Sequence, residues 1–181
     1  MTPSQIIDQG KKRFDVLYIS DNGTLEALVE DALGAFEDRG GAVRSILIES
    51  PFTTVAKPSD YLAVVGSCDA NGFYIECIPT DTDITIPAIS PDPAYPISIK
   101  YLVKFRGMPM DGLLPDESVG LILKHFVANL SIRNTRRERA MATAAGIQVE
   151  LPSEDALTAR LDAVEIAMEE DALIIPMITV M

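Results

Sequence analysis

The hydrophobic period of this chain changes twice, and that double change limits its fold more than any other feature. From Leu25 onward, Leu28, Val29, Ala32, Leu33 and Phe36 recur at the spacing of one helix face, with Glu26, Glu30 and Asp31 opposite. Thr24 is the expected N-cap and Arg39-Gly40-Gly41 the stop, so a helix is expected over 24–38. Beyond Ala42 the pattern turns to strands. AVRSILIES and FTTVAK flank Ser50-Pro51, and Tyr61–Cys68 and Phe73–Ile78 flank Asn71-Gly72, a pair that tolerates the positive φ of a hairpin turn. Pro79–Pro96 carries five prolines in 18 residues, which predicts a loop or irregular edge and excludes a central strand. Ile97, Ile99, Tyr101, Val103 and Phe105 then alternate along one strand face.

Helical spacing returns at Pro115, read as a first helical position followed by Asp116 and Glu117, which complement the helix dipole. Val119, Ile122, Leu123, Phe126 and Leu130 form the stripe of a helix over 115–133, and an alanine-rich helix over 136–145 ends at Gly146. Pro152-Ser153 opens a last helix over 153–170, with Leu157, Leu161, Val164 and Met168 as its seam. A short helix over 3–13, with Ile6 and Ile7 before Lys11, Lys12 and Arg13, precedes them all. The expected class is α+β: a helical bundle with an inserted antiparallel β region over 42–106. Residues 1–171 read as one domain and 172–181 as a C-terminal arm.

Composition agrees with a folded chain: 48% of residues are apolar and 23% charged, at a length suited to one domain with an extension. No run of about 18 apolar residues is present, so no membrane-spanning helix is expected. The basic residues near the N-terminus follow its apolar ones, which speaks against a signal peptide. Cys68 and Cys77 are too few for a disulfide framework and are read as free buried thiols of a cytoplasmically made protein.

Catalytic sets are not found in the sequence. His125, the single histidine, is read as a structural or helix-surface residue, and no Cys/His quartet completes a zinc site. Gly40-Gly41 follows a helix and does not open one, so it is no phosphate loop. Asp81 and Asp83 read as a solvated acidic loop in preference to a cation site. The expectation is no enzyme, no cofactor and no metal.

Charge is more telling. The chain has 15 Lys plus Arg against 27 Asp plus Glu, a formal charge of −12, which disfavours wrapping of DNA. Arg133, Arg136, Arg137 and Arg139 cluster, while Glu165, Glu169, Glu170 and Asp171 make an acidic end to the last helix. Local ion pairs would account for both clusters. The alternative is head-to-side association of identical copies, arginine patch to acidic patch, which closes into a ring where the rotation permits. The terminal ALIIPMITVM, with Ile174, Ile175, Met177, Ile178 and Val180, either packs on its own domain or adds as a strand to another subunit.

Three stretches carry a family resemblance. MTPSQII leads into TLEALVEDALGAFEDRGG; FTTVAKPSDYLAVVGSCDANGFYIE follows; YLVKFRGMPMDGLLPDESVGLILKHFVANLSIRN comes last. In order and phrasing, over about residues 1–170, this resembles the head-to-tail connector (adaptor or head-completion) proteins of tailed bacteriophages. The resemblance implies a structural virion protein in the neck between capsid and tail, made in the host cytoplasm. It implies a homo-oligomer, a twelvefold ring beneath the portal protein that contacts a tail or nozzle protein and carries DNA only through its lumen. A repulsive acidic lining suits such a channel. Pro79–Pro96 exceeds the corresponding loop of the smallest adaptors and is read either as a tail-contacting loop or as the mark of a related neck or tail protein. Another neck, tail-completion or baseplate component is the alternative within the virion. A non-viral acidic module binding a peptide or small ligand is the alternative outside it.

Overall fold

The computed structural model describes residues 1–49, 54–87 and 93–172. The class is α+β, with four helices and two small antiparallel sheets among the described residues. The single domain expected for 1–171 divides into two compact units: Met1–Gly41 with Phe105–Ala172, and Ala42–Lys104.

The first unit is helical: α1 (Pro3–Lys11), α2 (Asn22–Arg39), α3 (Asp116–Ala145) and α4 (Glu154–Glu170). Thr2 caps α1 in a reciprocal box with Gln5, and the helix ends at Lys11, so Lys12 and Arg13 of the expected span lie beyond it. The α2 cap is Asp21, not Thr24. Its carboxylate accepts from both the backbone N–H and the hydroxyl of Thr24 (2.8 and 2.9 Å), so the helix begins two residues earlier than expected. The predicted stripe of α2, from Leu25 to Phe36, is buried throughout.

The two helices expected over 115–133 and 136–145 are one helix of 30 residues. Asn134, whose type favours a helix end, is buried and spends its side chain elsewhere. Its Oδ1 accepts from Tyr18 N–H (2.7 Å) and its Nδ2 donates to the Val16 carbonyl (3.1 Å). With that amide occupied and no Gly or Pro between 133 and 136, nothing interrupts the ladder. Pro115 is the N-cap residue of α3 and not its first helical residue. Ser153 caps α4 as expected, accepting from Ala156 N–H (3.2 Å). The core of this unit joins α1 through α4: Phe126 and Leu130 are fully buried, and Phe36 meets Phe105 edge-on at 5.1 Å.

Among its described residues the second unit holds six strands: β1 (Val43–Ile48), β2 (Thr54–Ala56), β3 (Tyr61–Cys68), β4 (Ile78–Pro79), β5 (Asp83–Thr85) and β6 (Ile97–Val103). One sheet runs β1-β6-β3 and the other β2-β5-β4, all antiparallel. As its alternation predicts, β6 buries Ile97, Ile99, Tyr101 and Val103, and it is central. Ile48, Ile75, Ile84, Ile86, Ile97 and Ile99 form the core of the unit.

Two strand expectations fail here. The hairpin across Asn71-Gly72 has no regular second arm: beyond the turn only a single bridge, Cys68 to Tyr74, continues it. Asp69 is the reason. Its buried carboxylate accepts from the N–H groups of Asn71, Phe73 and Ala94 (2.9, 2.8 and 3.2 Å), so a side chain takes donors that a ladder would use. Burial raises the pKa of that carboxyl, and the N–H groups around it more than offset this, holding it below the usual value. The second failure is in the proline-rich segment. Asp83–Thr85 lies between its prolines and forms a central strand, because the prolines fall outside the three paired residues. Residues 88–92 of that loop, and Ser50-Pro51, lie outside the described residues. Cys68 and Cys77 are free, as expected, but half-buried instead of buried.

Candidate functional site

A cluster of charged side chains in the helical unit lies where α2, α3 and α4 converge. Arg39, in the last turn of α2, pairs with Glu165 at 2.6 Å and with Glu169 at 3.4 Å, both on α4. His125 reaches the same Glu165 from α3, Nε2 to Oε1 at 3.4 Å. Its imidazole is 3% exposed, and its Nδ1 has no hydrogen-bond partner among the described residues. Of the two readings of His125, structural or helix-surface, its burial rules out the surface one. Burial lowers the His125 pKa below its ordinary value, against the opposing pull of Glu165.

Arg39, His125 and Glu165 line a cavity of about 480 Å³ together with Glu30, Asp31, Asp38, Arg106 and Asn129. Four carboxylates and two guanidiniums share its wall, so it is net acidic. Both guanidiniums are already engaged: Arg106 holds Glu37 at 2.8 Å and Asp38 at 2.5 Å. The hydrogen bonds it donates to Asp38 and Glu37 raise the Arg106 pKa further above its usual range, so it stays a cation. Among the described residues Asp31 has only a long ion-pair contact, 3.9 Å, with Arg133.

A neutral His125 has a stability signature. Its folded pKa lies below the ordinary 6.5, so the unfolded chain binds more protons as the pH falls past that value. The stabilisation is complete above about pH 6.5 and is lost on the way down toward the folded pKa. Denaturant unfolding at pH 7 and pH 5 is expected to show a loss for the wild type that His125→Gln reduces. An equal loss in both proteins would remove His125 from the account.

The arginine cluster read from the sequence is largely engaged within its own chain. Arg136 and Arg139 share Glu154 at 2.9 and 3.5 Å, and Arg139 also donates to the Pro152 carbonyl (2.9 Å). Arg137 is exposed and has no ion pair among the described residues. Of the acidic cluster, Glu165 and Glu169 are held by Arg39, while Glu170 and Asp171 are exposed at the end of α4. The clusters are therefore not brought together; each has a partner that the sequence reading passed over, Glu154 for one and Arg39 for the other. The arm residues Ile174, Ile175, Met177, Ile178 and Val180 lie outside the described residues.

The β unit offers a different surface. The outer side of β3 borders a groove of about 550 Å³ lined by Tyr61, Leu62, Val64, Tyr74, Cys77 and Lys57. The Lys57 ammonium lies 4.7 Å from the Tyr61 ring centre, and the Tyr61 ring stacks on Tyr101 at 5.9 Å. Phe73 and Tyr74 beside it are 69% and 64% exposed. Burial raises the Cys77 thiol pKa, which keeps it in the weakly reactive protonated form. Among the described residues no group of His, Cys, Asp or Glu is arranged to hold a metal, and no helix is long and apolar enough to cross a membrane. No protein-family model matches this chain, and no curated protein matches it.

Proposed function

We propose that this chain is a structural virion protein of a tailed phage, an adaptor whose ring joins the portal to the tail and continues the DNA channel. The observation that carries the reading is the insertion of a β unit between two helices of a helical unit. The three stretches that resemble phage connectors follow this architecture: the first ends with α2, the second runs through β2 and β3, and the third leads from β6 into α3. The net charge of −12 supports the same reading, because a channel that repels phosphate lets DNA slide without sticking. Portal and tail or nozzle protein are its partners in this proposal.

The test is mass and symmetry, by light scattering and negative-stain imaging, of the full chain alone and with a portal ring. The expected result is a closed ring, either in solution or formed on the portal. A chain that stays monomeric in both settings would overturn the proposal. A second reading, a module that binds an extended apolar peptide, is favoured by the β3 groove with its exposed Tyr74. It predicts that titration with such peptides perturbs Tyr61 and Tyr74 signals while the mass stays that of one chain.

A further inference from the structure

Among the described residues β3 is an edge strand, paired with β6 on one side only. The far end of its other side is in use: Ile75 N–H donates to the Ser67 carbonyl (3.1 Å), and Cys68 bridges Tyr74. Over residues 62–66 the backbone makes no hydrogen bond on that side to any described residue. A row of unspent N–H and C=O groups of this kind is a template for another strand. The same residues line the groove of about 550 Å³. Pro79, in the edge strand β4 of the other sheet, lines it too. In a chain with 27 acidic residues, no carboxylate is among the described residues lining this groove. The charged side chain there, Lys57, already lies over the Tyr61 ring and donates to the Thr80 carbonyl. The groove therefore suits an extended, uncharged, apolar segment.

We propose that the occupant is this chain's own segment 173–181, which adds as a strand to the free edge of β3. Apart from Pro176 and Thr179 every residue of that segment is apolar, and none is charged. Such a run left in water is an aggregation hazard, so it needs cover. Pro176 has no N–H to give to a ladder and fits the first position of a strand. Residues 177–181 contain no further proline, and Ile178, Thr179 and Val180 are β-branched, as strands favour. As a strand they span about 16 Å, the length of residues 62–66. Main-chain bonds to β3 supply the affinity, and the wall of Leu62, Val64 and Tyr74 receives alternate side chains. The inference shares the groove of the second reading above but not its foreign peptide, and it does not need the ring.

Backbone hydrogen exchange on the full chain tests this. In the wild type the amides of residues 62–66 are expected to be protected along both sides of β3. Ile178→Asp with Val180→Asp places two charges in the added strand, where burial disfavours them. The pair is expected to speed exchange at the free-side amides of β3 by about tenfold or more and to leave the β6 amides unchanged. Alkylation of Cys77, which lines the groove, should quicken by a similar factor, while that of Cys68, which is not among its lining residues, stays as it was. Leu62→Asp, on the groove side, should reproduce both effects; Leu62 is exposed, and intact β6 protection checks that the sheet holds. Wild-type edge amides that exchange as freely as open backbone would overturn the proposal. So would an aspartate pair that moves neither readout. A chain that stays monomeric on a portal ring yet is protected along this edge keeps the added strand and loses the ring reading; a ring whose β3 edge exchanges freely does the reverse.

Discussion

Truncating Phe126 to alanine is expected to cost about 3–5 kcal/mol of stability, the range for emptying a fully buried aromatic site. Phe126 has no exposed surface and sits on α3 among Ile122, Leu130 and the last turn of α1. Its neighbour Gly10 makes the prediction sharper. A Cβ at Gly10 would lie 2.3 Å from Phe126 Cε1, inside any real contact distance. Gly-to-Ala in a helix ordinarily gains about 0.5–1 kcal/mol. Here Gly10→Ala is expected to lose about 1–3 kcal/mol, because the ring or the helix must shift. In the Phe126→Ala background the added methyl enters vacated space, so the double variant should be more stable than the sum of the two losses implies. A double-mutant cycle by guanidinium unfolding measures this coupling. Losses that add to within about 0.5 kcal/mol would show that the two side chains do not share that space.

Glu37→Ala is expected to cost about 1–3 kcal/mol, the penalty for leaving a buried donor without a partner. The Glu37 carboxylate is itself nearly buried, with 9% of its side chain exposed. It accepts from Phe105 N–H at 2.7 Å, Arg106 N–H at 2.9 Å and the Arg106 guanidinium at 2.8 Å. Phe105 and Arg106 open the return of the chain into the helical unit, so this one side chain ties that return to α2. Glu37→Gln keeps a carbonyl oxygen and should lose less. Hydrogen exchange decides the cause: the Phe105 amide should lose protection in Glu37→Ala far more than the amides of α4. Uniform loss across the unit would point to general destabilisation instead.

Where the sequence reading succeeded, the information was local. The α2 stripe and the alternation of β6 are each written in consecutive residues, and each is as expected, while of the α4 seam Leu157 and Met168 are buried and Leu161 and Val164 half-buried. Periodicity reports which face of an element is apolar, and a core accepts that face almost regardless of what lies opposite. The misreadings share a different cause. Thr24 was outcompeted by Asp21 as a cap, and Asp69 drew away the donors of a hairpin arm: in both, a carboxylate took backbone N–H groups that composition assigned elsewhere.

The α+β class, the order of its elements and the α2 stripe followed from the sequence by itself, because helix and strand periods need only the neighbours in the chain. The continuity of α3, the central place of Asp83–Thr85 and the partners of the charged clusters were decided by the tertiary structure. Asn134 stays within a helix because Val16 and Tyr18 occupy its amide, and Glu165 is held because Arg39 comes within 2.6 Å of it. Such contacts join residues more than a hundred positions apart. A hydrogen bond or ion pair acts only over a few ångströms through space, and no pattern along the chain records that distance.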